Sequence, residues 1–254
     1  MAGSVVVQHE GSTRLMPIPE TWASFPTVQP LPDGGVLIVG SRAQWTPGGP
    51  EQNAEAFDAN GDLLRTACVG DGVAHARTTA SGELWVGYTD EGVYGNMGWG
   101  WQEGPAPIGS PGILRFAPTL EVAWEFPATR EMVIDDCYAM NWDGKRLWAS
   151  YYSDFRLLAI EDGKASSLKS SMPGAHALVT NGTEVAYVGG YRDEYDRVAT
   201  GRTDDDAKDF QVSRLVMPDG SELPREASIV GHANELHVFA GTRWLRVDLE
   251  DLPD

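Results

Sequence analysis

The chain has 254 residues, 42% of them hydrophobic, and carries 37 Asp and Glu against 19 Lys and Arg, a formal net charge of -18. Such a field repels phosphate backbones and anionic lipid, and no apolar run nears the roughly 18 residues of a membrane span. Nucleic acid and membrane are therefore excluded as expected partners, leaving a small molecule or another protein.

The 29 glycines and 16 prolines suit an all-β protein with many tight turns, and helical patterning is nearly absent. The N-terminus lacks a basic region followed by a long apolar one, so the expected location is cytoplasmic, with Cys68 and Cys137 reduced.

In chain order, Ser4 to Gln8 and Ser12 to Met16 read as a hairpin over residues 4–16. An apolar phrase ending in a small residue then recurs five times: Leu37-Ile38-Val39-Gly40, Leu84-Trp85-Val86-Gly87, Leu147-Trp148-Ala149-Ser150, Ala186-Tyr187-Val188-Gly189 and Val238-Phe239-Ala240-Gly241. The final positions are 47, 63, 39 and 52 residues apart, which fits a four-stranded unit with variable loops. A turn signal precedes each phrase, as in Pro32-Asp33-Gly34-Gly35, Ser81-Gly82, Asp143-Gly144 and Asn181-Gly182. The phrase is thus the second strand of a unit. Third strands are expected at Ala54 to Asp58, Ile113 to Phe116, Arg156 to Ile160, Val212 to Val216 and Trp244 to Asp248.

Four antiparallel strands per unit make a propeller blade, with blades expected over 27–67, 73–126, 136–169, 175–223 and 227–249. The fold class is a single all-β propeller domain of five four-stranded blades, six being the alternative if the hairpin is a degenerate blade. With five, the N-terminal strand is expected to complete the last blade and close the ring. The phrase aromatics Trp85, Trp148, Tyr187 and Phe239 are expected in the core between blades.

Ser81-Gly82-Glu83-Leu84-Trp85-Val86-Gly87-Tyr88-Thr89-Asp90-Glu91-Gly92-Val93-Tyr94 resembles the blade motif of the propellers of two-component-regulator sensors, in which an aspartate-glycine turn leads into an apolar Trp-Val-Gly phrase. The other blades match it loosely. The resemblance implies the fold; such propellers serve sensing, scaffolding and enzymatic roles alike.

The connections after the second strands are long, over Ser41 to Asn53, Tyr88 to Pro111 and Tyr191 to Asp209, and long loops in a compact repeat tend to carry function. Their aromatics, with Tyr151 after the third phrase, are the candidate ligand contacts: Trp45, Tyr94, Trp99, Trp101, Tyr151, Tyr191 and Tyr195. Beside acidic groups they favour a neutral, polar or cationic ligand. On the same face, the first strands begin near His75, Asp136, His176 and Glu226. These supply carboxylate and imidazole for acid-base work by a hydrolase or lyase at the tunnel mouth, or for a divalent metal of calcium or zinc-like character. No nucleophile or phosphate-loop motif accompanies them, so the first reading is a binding module and the enzyme is the alternative.

Overall fold

Pairing begins with the N-terminal hairpin of β1 (Gly3–His9) and β2 (Ser12–Ile18), and the computed structural model describes residues 3–9, 12–100, 104–153 and 155–253. The chain forms two compact units, residues 1–133 and 134–254.

In the first unit, β3 (Thr27–Pro30), β4 (Val36–Val39), β7 (Ala54–Phe57) and β8 (Leu63–Ala67) pair antiparallel in that order as blade one. The connection between β4 and β7 holds a small ribbon of β5 (Trp45–Thr46) and β6 (Gly49–Pro50). Blade two is β9 (Val73–Thr78), β10 (Leu84–Tyr88), β11 (Ile113–Phe116) and β12 (Val122–Glu125), with a short helix α1 (Asp90–Tyr94) after β10. Period-two alternation explains the packing: Leu37, Val39, Ala54 and Ala56 meet Ala76, Leu84, Val86 and Leu114 between the two blades. The other face of blade one presents Val36, Ile38 and Phe57, and the hairpin covers it with Met16 and Ile18.

In the second unit, blade three is β13 (Cys137–Trp142), β14 (Leu147–Tyr151), β15 (Arg156–Glu161) and β16 (Lys164–Ser171). Blade four is β17 (Ala177–Thr180), β18 (Glu184–Val188), β19 (Arg197–Arg202) and β20 (Gln211–Arg214). Blade five is β21 (Ser228–His232), β22 (Glu235–Ala240) and β23 (Arg243–Asp248). Blade four is apolar on both faces. Val185 and Tyr187 of β18 pack toward Trp148 of blade three, while Ala186 and Val188 pack toward Leu236 and Val238 of blade five.

Three expectations are corrected. The hairpin does not complete blade five: β1 pairs with β2 along its length, and the fifth sheet holds three strands among the described residues. Met16 and Ile18 find their apolar partners on blade one, and Arg14 donates to the carbonyl oxygens of Ala59 and Gly34, at 2.9 and 2.6 Å. Second, the third strand of blade four is Arg197–Arg202, and Gln211–Arg214 is the fourth. The stretch Arg-Val-Ala-Thr-Gly-Arg reads as loop because its flanks are charged, yet Val198, Ala199 and Thr200 are all buried. The connection from β18 to β19 is correspondingly short. Third, Trp85, Trp148 and Tyr187 are buried as expected, whereas Phe239 is 43% exposed. It lies on the face of β22 turned away from blade four and stacks on Trp244, with ring centroids 5.8 Å apart.

Candidate functional site

In the first unit, the two long loops pack onto each other. The Trp45 N–H donates to the Met97 carbonyl at 2.9 Å, and the Trp99 indole N–H donates to the Ala43 carbonyl at 2.7 Å. Trp99 is buried, so it is a structural peg and not a stacking surface for a ligand. That corrects the expectation for this residue: an indole with a satisfied N–H and a covered face has nothing left to offer. Trp45 is half-buried and Tyr94 is exposed, while Trp101 lies outside the described residues.

Loop joins blade through buried polar groups. The Asn53 amide donates to the Gly40 and Gly70 carbonyls, at 2.9 and 2.8 Å, and its oxygen accepts the Val69 N–H at 2.9 Å. Asp71, buried at the entry to β9, accepts the Ala43 N–H at 2.9 Å and pairs with Arg42 at 3.0 Å. Arg42 also pairs with Glu91 and holds that carboxyl below its usual range. His75 follows on β9, half-buried and opposite Gly87.

In the second unit, Asp136 and Tyr191 come together with three aromatics that lie outside the long loops. The Tyr138 and Tyr152 rings are 5.8 Å apart, and Phe155 stands 6.0 Å from Tyr138 and 5.4 Å from Tyr152, the last contact edge-on. The Tyr152 N–H donates to the Asp136 carbonyl at 2.9 Å, and the Ser153 hydroxyl donates to the Asp135 carboxylate. Burial, and then the neighbouring Tyr191 hydroxyl, push the Tyr138 hydroxyl well above the usual tyrosine range. Tyr138 is thus a neutral donor at any physiological pH. Phe155 has φ of 54°, a left-handed conformation that costs a bulky residue about 1–2 kcal/mol. Tyr152 and Tyr191 remain 50% and 48% exposed. Half-exposed rings beside two aspartates offer chemistry suited to a cation or an apolar stem.

His176 stands just before β17 in blade four. Its ring rests on Gly189, where an added Cβ would stand 2.0 Å from Nδ1, so the small residue ending the fourth phrase gives the imidazole room. Burial of that side lowers the His176 pKa, favouring the neutral ring. Tyr151 is fully buried in β14 and contributes packing rather than ligand contact, a second correction. Tyr195 is tied down as well: its hydroxyl donates to the Leu223 carbonyl, and the Arg225 guanidinium covers its ring at 5.1 Å. Glu226 is exposed and makes no side-chain hydrogen bond or ion pair among the described residues. No group of three or more His, Cys, Asp or Glu side chains able to hold a metal ion occurs among the described residues. Tyr138, Tyr152 and Phe155 escape a reading based on loop length. The available signal is the density of aromatics in Tyr151-Tyr152-Ser153-Asp154-Phe155, directly after the third phrase.

No protein family matches the chain, and no curated protein does. Solved structures do match it. A streptogramin B lyase is 13% identical with a TM-score of 0.51, over 93% of this chain and 69% of that one. The Pan2 WD40 domain of Neurospora crassa is 9% identical with a TM-score of 0.52, over 92% of this chain and 66% of that one. A nidogen/laminin complex matches at 8% identity and a TM-score of 0.50, over 96% of this chain and 85% of that one. The chain therefore spans about two thirds of the length of the first two. At such identities the likeness shows the fold, a five-bladed β-propeller.

Proposed function

We propose that this propeller is a binding module that recognises a basic segment of a partner protein through the loop side of its second unit. One observation carries the reading: the exposed Tyr152 and Tyr191 rings, set against Tyr138 and Phe155 and flanked by Asp135 and Asp136. Tyrosine anchors of limited side-chain freedom dominate protein interfaces, and the ring faces with adjacent carboxylates suit lysine or arginine side chains. The net charge of -18 steers the same class of partner toward the protein. A matched propeller seen in a complex between nidogen and laminin gives a precedent for protein recognition on this fold. A cytoplasmic location, and a sensor-type role like that implied by the blade-two motif, belong to this proposal.

The test is a titration of the full chain with a lysine-rich peptide and a glutamate-rich one of equal length. Binding of the basic peptide is expected to weaken about ten-fold in Tyr191→Ala and in Tyr152→Ala, both exposed positions whose truncation spares the core. Equal binding in wild type and both variants would reduce the effect to general acidity and sink the reading.

A further inference from the structure

The first unit contains a cavity of about 480 Å³ whose walls include Trp22, Ser24, Arg42, Glu51, Asn53 and Glu55, a volume within the range of small-molecule sites. It shares no residue with the aromatic platform of the second unit. The geometry points to a binding site for a small organic cation, an ammonium or guanidinium head on an apolar stem.

Several polar groups in the cavity wall are already committed. Asn53 has spent both amide hydrogens and its oxygen on backbone groups. Arg42, also in the wall, is engaged by Asp71 and Glu91, so its charge is already matched by theirs. Glu51 accepts the Gln44 N–H through one oxygen at 2.9 Å. Glu55 is the telling group. It sits in mid-strand on β7 and is 4% exposed, and the one hydrogen bond its carboxylate accepts among the described residues comes from the Thr21 hydroxyl. A carboxylate in such a place is costly without a counter-charge, and no basic side chain pairs with it among the described residues. What Glu55 lacks is a donor that carries positive charge.

The wall for the rest of the ligand comes from a chain crossing. Residues 21–24 pass over the end of β4, where the Ser41 N–H donates to the Ser24 carbonyl at 2.8 Å. Gly40 makes the crossing feasible, because a Cβ there would meet Ala23 Cα and the Ser24 nitrogen at 3.1 Å. The crossing sets Thr21 on Glu55 and leaves Trp22 at the cavity rim, 80% exposed. An indole so exposed beside two carboxylates offers its face to a cation and its edge to an alkyl stem.

The probes are butylammonium and butylguanidinium, with butanol and butyrate as the neutral and anionic counterparts, followed by tryptophan fluorescence and thermal shift on the full chain. Saturable binding of the cations, about ten-fold or more tighter than butanol, is expected. Equal affinity for butanol overturns the proposal. Glu55→Gln should abolish the preference for the cation, and its retention in that variant overturns the proposal. Should Glu55→Gln fail to fold, Trp22→Ala decides: exposed as it is, it leaves the melting temperature unchanged, and it should weaken binding at least about three-fold. Unchanged affinity in Trp22→Ala overturns the proposal. Tyr191→Ala should bind these probes as wild type does. A parallel loss there would mean that they read the second unit's surface and not this cavity.

Discussion

His237 shows how one side chain couples the protein to pH. Its Nδ1 accepts the Trp244 indole N–H at 3.1 Å, which requires that nitrogen to carry no proton. Burial lowers its pKa; Glu235 works against that, while His232 and Arg246 act with burial, and the net direction is down. His176 shifts the same way through burial. A histidine with a folded pKa below its unfolded value of 6.5 binds fewer protons folded than unfolded. Its contribution is therefore complete above that value and is lost as pH falls through it. Both rings keep a side toward solvent, so screening holds each contribution below about 1 kcal/mol. Urea unfolding at about pH 7.5 and about pH 5.5 should show the wild type losing stability on acidification, and His237→Gln with His176→Gln losing less. An identical loss in the double variant would assign the effect elsewhere.

Among the elements, the N-terminal hairpin is the clearest case of packing choosing between pairings. Residues Leu15 and Met16 are neighbours on β2, yet Leu15 is 68% exposed and Met16 is 0% exposed. Met16→Ala should cost about 3 kcal/mol by opening a cavity against Val36, Ile38 and Phe57. Leu15→Ala should stay within about 0.5 kcal/mol, and chemical denaturation of both variants checks the contrast. Comparable costs would mean that the hairpin's outer face is covered in solution. The second strands of the blades were legible from sequence because each couples an apolar phrase to a turn residue with positive φ, as at Gly82 and Gly182. The hairpin's docking was not, since alternation in β2 names a buried face without naming what buries it. Arg197–Arg202 was hidden by its charged ends, and Glu55 by lying in an alternating strand whose polar residues ordinarily face water. Its burial comes from residues 21–24, which carry no strand pattern. The same limit applies to the candidate contacts. Trp99 and Tyr151 have the composition of ligand contacts, and only their partners, Ala43 for one and the core for the other, remove them.

For the whole molecule, the net charge of -18 sets a field that local pairing cannot cancel, because acidic groups outnumber basic ones 37 to 19. Most of the ion pairs among the described residues are at the surface, like Arg202 with Asp204 and Arg225 with Asp193, and such pairs contribute about 0–1 kcal/mol each. Self-repulsion among the surplus carboxylates therefore outweighs what salt removes from the pairs. The melting temperature should rise between about 20 mM and about 500 mM NaCl, as the screening length falls below the spacing of surface charges. Association with the proposed basic partner should run the other way, since attraction between a lysine-rich segment and the aspartate-flanked platform would be screened by the same ions. Calorimetry and peptide titration across one salt series should thus give opposite slopes, with affinity falling while stability climbs. A melting temperature that falls with salt would show that the ion pairs, Arg42 with Asp71 and Glu91 foremost, carry more of the fold than their exposure implies.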